Sequence, residues 1–206
     1  MRVSETREVG LHEKLFARHF ELVLLSTTTI ALAVYLFYVR LDVGGEDGVY
    51  YTPALAVRDG FVIHRQVFNQ YGPVFAIFQS LVMRVGHVDT VLGLRYFDAV
   101  LLVMTGVLAA FTLKRVYASS AVLYGLTTWF ASAYFLSSGI SAVAWPSVLS
   151  LFLSIVVLTL IIDNAGQALT ERTWKLVAAG VLTGLQQYVR LNLGTSTLIG
   201  IAAVLL

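Results

Sequence analysis

Uncharged apolar stretches alternate with short charged ones along most of this chain, and the alternation sets the expected elements. Leu22 to Val39 and Ala99 to Leu113 contain no Asp, Glu, Lys or Arg. Val116 to Ile162 is one uncharged run, more than twice the ~20 apolar residues that a bilayer crossing needs. It therefore predicts two helices with a break between them. Ser137-Ser138-Gly139 through Trp145-Pro146-Ser147, turn formers beside an aromatic residue, supply that break. Beyond Lys175, Leu176–Val189 and Leu191–Leu206 are again uncharged, separated by Arg190 and Asn192. The expected fold class is all-α, a polytopic transmembrane helical bundle with about six spans. These fall near 20–39, 94–113, 118–136, 146–162, 174–188 and 193–206. The last apolar run has no polar flank, and the expectation is an N-terminal part of a longer protein.

One apolar stretch is too short to cross. Val74 to Met83, preceded by Gly72-Pro73 and closed by Arg84, gives roughly 15 Å of helix at 1.5 Å per residue. That is about half of the ~30 Å hydrocarbon thickness. Residues 40–94 then form one long extracytoplasmic loop carrying two surface helices, near 48–58 and 73–86. The basic residues agree with this count. Arg2, Arg7, Lys14 and Arg18 precede the first span, and the pairs Lys114/Arg115 and Arg172/Lys175 fall between later ones. All are cytoplasmic if the loop is outside, as the positive-inside rule requires. The domain organisation is thus a cytoplasmic segment, 1–19, and a transmembrane domain, 20–206.

Composition narrows the class. Hydrophobic residues make up 58% and charged residues 13%, against about 25% charged in globular chains. With a mean hydropathy of +0.80, this is an integral, multi-pass membrane protein. The absence of cysteine excludes disulfide scaffolds and thiolate chemistry. A net charge of +2 without a basic cluster gives no nucleic-acid footprint. No P-loop, dinucleotide fingerprint or nucleophile elbow occurs. Trp129, Trp145 and Trp174 read as bilayer anchors, and Gly180 with Gly184 as a small-xxx-small packing pattern.

The loop departs from the rest of the chain. Asp42, Glu46, Asp47, Asp59 and Asp89, with Arg40, Arg58, Arg65, Arg84 and Arg95, fall in it or at its edge. Loops beyond ~12–15 residues are usually functional or disordered, and this one is too aromatic for disorder. Its order is Gly44-Gly45-Glu46-Asp47-Gly48-Val49-Tyr50, then Ala54-Leu55-Ala56-Val57-Arg58-Asp59-Gly60. Next come His64-Arg65-Gln66-Val67-Phe68-Asn69-Gln70-Tyr71-Gly72-Pro73, and finally Gly93-Leu94-Arg95-Tyr96-Phe97-Asp98 at the head of a span.

In order and spacing these four elements resemble the GT-C superfamily of polytopic glycosyltransferases. That superfamily includes protein O-mannosyltransferases and the bacterial aminoarabinose and lipopolysaccharide-sugar transferases. The resemblance covers residues 20–115 and continues to 206 only through hydropathy and a Gly184, Arg190, Gly194 pattern. It implies inverting transfer of a sugar from a polyprenyl-phosphate donor to an acceptor glycan, lipid or protein at the outer face of a bacterial plasma membrane. By position, Glu46 and Asp47 match the family's acid pair in reversed order, with Asp42 as a third candidate base. Arg95 matches the arginine near the donor phosphate, and Tyr71-Gly72-Pro73 the opening of the second surface helix.

The chemistry fits those residue types. A carboxylate takes the proton of a weakly nucleophilic hydroxyl, and an arginine clamp receives the departing phosphate. Arg190, expected to emerge on the same face, joins Arg95 as a phosphate ligand. His64 and Arg65 are loop candidates for acceptor or phosphate contact. Asp98, one turn after Arg95, either pairs with it or lines the site. A divalent cation, Mg or Mn, is compatible with the acids but required by nothing in the sequence. The competing reading is a transporter or lipid-handling subunit whose intramembrane charges line a path.

Overall fold

A computed structural model describes residues 2–41, 47–137, 146–162 and 169–205, with side chains at 14, 17–37, 48–131, 146–162 and 173–202. Among the described residues the chain is all-helical. Eight helices follow in order: α1 (Arg2–Leu41), α2 (Asp47–Arg58), α3 (Pro73–Gly86), α4 (Val91–Leu113), α5 (Ser119–Ser137), α6 (Pro146–Ile162), α7 (Leu169–Val189) and α8 (Leu191–Leu205). Two segments are long and apolar enough to cross a membrane, Ala17–Phe37 and Val91–Leu113, while Pro73–Gly86, Pro146–Ile162 and Leu191–Ala202 are shorter apolar helices. The expected helices are thus present nearly in place. Helix α1 begins at Arg2 and so runs through most of the N-terminal segment.

Local chemistry explains the boundaries. Thr90 caps α4, its Oγ1 accepting from Gly93 N at 3.1 Å. Pro73 opens α3 and Pro146 opens α6, where a missing N–H costs nothing. At the end of α2, Phe61 N donates to Ala56 O (2.9 Å) and Gly60 N to Val57 O (3.1 Å). This double closure needs a left-handed residue, and Gly60 supplies it with φ +96.

Packing has α4 at its centre. It lies against α1, α5 and α6, and touches α3. Phe20, Leu24 and Tyr35 of α1 join Ala99, Val103 and Ala110 of α4 and Val122, Leu126 and Phe130 of α5 in one buried cluster. Tyr35 Oη donates to Phe130 O at 2.9 Å. Trp129, read as a bilayer anchor, packs inward instead. A Cβ on Gly106 of α4 would fall 2.4 Å from its Cζ3, so the missing side chain on α4 is what admits the indole. The reverse holds for Gly180 and Gly184, where an added Cβ meets nothing within 4 Å. The small-xxx-small pattern does not pack helices here.

A second layer joins α6, α7 and α8 through polar side chains. Thr112 and Thr159 link α4 to α6 (Oγ1···Oγ1 2.7 Å). Gln186 Nε2 donates to Ser150 O at 3.0 Å and to Ser154 Oγ at 2.6 Å. Ser154 in turn meets Thr197 of α8 at 3.1 Å. The chain reverses sharply at Arg190, whose N–H closes α7 on Gln186 O while its carbonyl accepts from Gly194 N. Gly194 makes the reversal possible, because a Cβ there would lie 2.6 Å from Gln187 N.

Helices α2 and α3 pack side by side and run parallel. Tyr50 shares a cluster with Phe75, and Ala54 shares another with Met83. Residues 59–72 therefore travel back along the pair, some 18 Å at 1.5 Å per residue of α2. Partway along, a tight turn closes with His64 N donating to Val67 O at 2.9 Å and Gln66 Oε1 accepting from Val62 N at 2.8 Å. At the other end, Arg84 donates to the carbonyls of Val57 and Arg58. Arg58 also bridges Asp59 (3.1 Å) and Asp89 (2.7 Å).

Candidate functional site

Four helix ends converge at one rim of the bundle: the starts of α2, α3 and α6 and the end of α7. Tyr50, one turn into α2, shares a cluster with Phe75 of α3, Leu101 of α4, Leu149 of α6 and Val189 of α7. Its ring stacks on Tyr71 at 5.5 Å with the two hydroxyls 3.2 Å apart, and Phe75 meets it edge-on at 6.2 Å. Asn69 holds the approach to α3, accepting from Tyr71 N and donating to Gly72 O, both at 3.3 Å. The junction with α7 is closer than any side chain allows. A Cβ on Gly72 would stand 1.6 Å from Tyr188 O and 2.3 Å from Tyr188 C. The Tyr71-Gly72-Pro73 element is thus the place where α3 is seated on α7.

Arg190 lies beside this junction. Its Nη1 donates to Ser147 Oγ in the first turn of α6. The first amides of a helix have no partner within it and carry the positive end of its dipole. A guanidinium at the same spot creates an anion-binding potential. Arg95 is buried, 4% exposed, at the start of the second turn of α4.

Asp98 is level with this rim. The Thr112–Thr159 bond fixes the register of α4 and α6, which run in the same direction, and that offset places Asp98 beside the start of α6. Asp98 is 7% exposed, and among the described residues its Oδ2 has no hydrogen-bond partner. Among the described residues three further buried groups lack partners: the whole amide of Gln79, Ser150 Oγ and Gln186 Oε1. Each such group costs about 1–3 kcal/mol of stability, so their collection near one end of the bundle is a feature to be explained.

Of the residues singled out by sequence, the structure brings Tyr71, Asp98 and Arg190 to the rim. Arg95 lies about one turn beyond Asp98, toward the Ala54/Met83 end of the surface helices, where its neighbour Leu94 packs. His64 and Arg65 are exposed on the return turn, apart from the rim cluster. Asp42 and Glu46 lie outside the described residues; the backbone of Asp47 opens α2, one turn before Tyr50, and its side chain lies outside them. No group of three or more His, Asp or Glu able to hold a metal ion forms among the described residues. Sequence reasoning missed Gln79 and Gln186. The signal was an amide inside an apolar stretch, which is costly in a membrane segment unless used.

Comparison with family models, with curated proteins and with solved structures finds no match to this chain.

Proposed function

We propose that this chain is a membrane glycosyltransferase that moves a sugar from a polyprenyl-phosphate donor to an acceptor hydroxyl on the extracytoplasmic face, with inversion. The supporting observation is the rim itself. Arg190, Ser147 and the first turn of α6 form an anion-attracting corner, and the backbone carrying Asp47 starts one turn from Tyr50 in the adjoining cluster. This supports a reading in which the carboxylate and the phosphate seat belong to neighbouring helix ends.

In the displacement, a carboxylate of the Glu46/Asp47 pair, or Asp42, takes the acceptor proton. The acceptor oxygen bonds to the anomeric carbon as the bond from that carbon to the phosphate oxygen breaks. The electron pair leaves on the polyprenyl phosphate, whose growing charge Arg190 neutralises. No step runs through Mg or Mn.

In this reading the chain is multi-pass in the plasma membrane with a cytoplasmic N-terminus, and the distribution of side chains supports the contact with a membrane. Large apolar residues face outward, among them Leu22, Leu25, Ile30, Phe37, Val177, Val181 and Leu185, while Gln79, Arg95, Asp98, Thr105 and Gln186 are buried. Only an apolar solvent favours that inversion. The test is transfer from polyprenyl-phosphate sugars in membranes carrying Glu46→Gln with Asp47→Asn, or Arg190→Gln. Loss of transfer at wild-type expression is expected. Full transfer by a triple variant that adds Asp42→Asn to the two acid changes removes the reading.

A further inference from the structure

The two helices beside the rim carry a pair of polar residues that the displacement does not use. Along α3, Phe75, Gln79 and Met83 recur on one face; along α4, Leu94, Asp98 and Leu101 do so. Met83 and Leu94 belong to one cluster, Phe75 and Leu101 to the other. The order along α4 reverses that along α3, so the helices are antiparallel, and Gln79 and Asp98 occupy the level between the two rungs. At that level Phe78 and Phe97, the residues just before them, meet ring to ring at 5.7 Å. Gln79 is 1% exposed and Asp98 7%. Among the described residues neither amide atom of Gln79 has a hydrogen-bond partner, nor has Asp98 Oδ2.

A bundle gains nothing by burying an amide and a carboxyl oxygen unpaired between apolar rungs, where leucine or methionine would pack. We propose that Gln79 and Asp98 form a hydroxyl-binding pair for the sugar carried on the lipid phosphate. This rests on the sugar-transfer reading and extends it to the part of the donor that the phosphate seat does not see. The chemistry is complementary. Each hydroxyl of a vicinal pair donates one hydrogen and accepts another. The Asp98 carboxyl and the Gln79 carbonyl accept, the Gln79 NH2 donates, and the flanking phenyl rings face the C–H side of a pyranose or furanose. A site that hydrogen-bonds a substrate hydroxyl discriminates strongly against a ligand lacking it, so the pair sets donor-sugar specificity.

The experiment uses the whole chain in lipid nanodiscs. Equilibrium binding is measured for a C55 polyprenyl phosphate and for the same lipid phosphate bearing glucose, mannose, galactose or arabinose. Wild type is expected to bind at least one sugar-bearing lipid roughly tenfold or more tightly than the bare phosphate. Gln79→Leu and Asp98→Asn are each expected to bring that preference to near unity while binding the bare phosphate as wild type does. Gln79→Leu also serves if Asp98→Asn does not fold, because replacing an unpaired buried amide with an apolar side chain is expected to hold or raise the melting temperature. A preference retained in the variants, or no sugar preferred by wild type, overturns the pair and leaves the phosphate seat standing. No binding of the bare lipid phosphate overturns the sugar-transfer reading and the pair with it.

Discussion

Gly72→Ala is the sharpest perturbation the fold offers, because the added methyl has nowhere to go. Gly72 has φ -64 and ψ 155, angles that alanine adopts freely, so backbone strain plays no part and the effect is purely steric. The new carbon would lie 1.6 Å from Tyr188 O and 2.3 Å from its carbonyl carbon. An unbonded C···O contact settles near 3.3 Å, so the start of α3 must move away from α7 by about 1.7 Å. Both partners are main chain, and neither can rotate aside as a side chain would. Overpacking of this sort typically costs about 1–3 kcal/mol, or a drop in melting temperature of several degrees for a chain of this size. The same displacement carries Tyr71 away from Tyr50. A misplacement of about 1 Å at a reacting site can cost on the order of 100-fold in rate, so under the proposed function transfer should fall further than stability does. Thermal denaturation of the purified protein, followed by tryptophan fluorescence, reads the first effect, and donor turnover in membranes reads the second. Gly180→Ala is the matched control: nothing lies within 4 Å of its added Cβ, and a helical Gly→Ala change there should leave stability unchanged or raise it by up to ~1 kcal/mol. If Gly72→Ala melts with wild type and the two alanine variants are indistinguishable, the seating of α3 on α7 is wrong.

The remaining expectations concern packing, topology and surface charge. Gly106→Ala should destabilise, since its Cβ would meet Trp129 and Phe130 at 2.4 and 2.8 Å, and Trp129→Phe should recover part of the loss; failure of the second change to help in a melting assay would separate the two sites. A double-mutant cycle of Thr112→Val and Thr159→Val should give a coupling of about 0.6 kcal/mol, the usual size for an interhelical hydrogen bond in a membrane protein, and zero coupling would remove the α4–α6 register. Because the chain has no cysteine, His64→Cys and Tyr117→Cys test sidedness directly: a membrane-impermeant maleimide should label the first in intact cells and the second only after permeabilisation. Asp89→Asn should lower stability by less than about 1 kcal/mol, because its bridge to Arg58 is solvent-exposed at the Asp89 end; a larger loss would mean that the ion pair, rather than the apolar contacts, fastens α2 to α3.

Helix positions were legible because they follow from charge spacing alone. The short stretch from Pro73 was separable from the spans by length, and its boundaries agree with α3. Packing was less so. Gly180 and Gly184 have the spacing of a packing motif, yet the glycines that admit close approach are Gly72, Gly106 and Gly194. Nothing within five residues of Gly72 announces that the main chain of Tyr188 will press against it. Close approach is a property of the meeting of two segments, and a single sequence displays only one of them. Trp129 misled for a related reason. A tryptophan in an apolar run is more often at an interface, and only the small residue facing it on α4 turns it inward.

The same asymmetry runs through the polar residues. At the Lys114 end of α4, the polar groups between helices find partners: Thr112 meets Thr159, and Lys114 Nζ lies 4.0 Å from the centre of the Phe20 ring. Toward the rim, Gln79, Asp98, Ser150 and Gln186 each keep an atom unpaired. Folding alone would have removed this difference, since an unpaired buried polar atom destabilises wherever it lies. Helices α4 and α6 run to both ends with the same apolar background, so composition does not account for it either. What distinguishes the rim is that helix ends converge there, with Arg190 and the start of α6 favouring an anion. Polar atoms left without partners beside such a corner are explained if the partners arrive with a lipid phosphate and the group it carries.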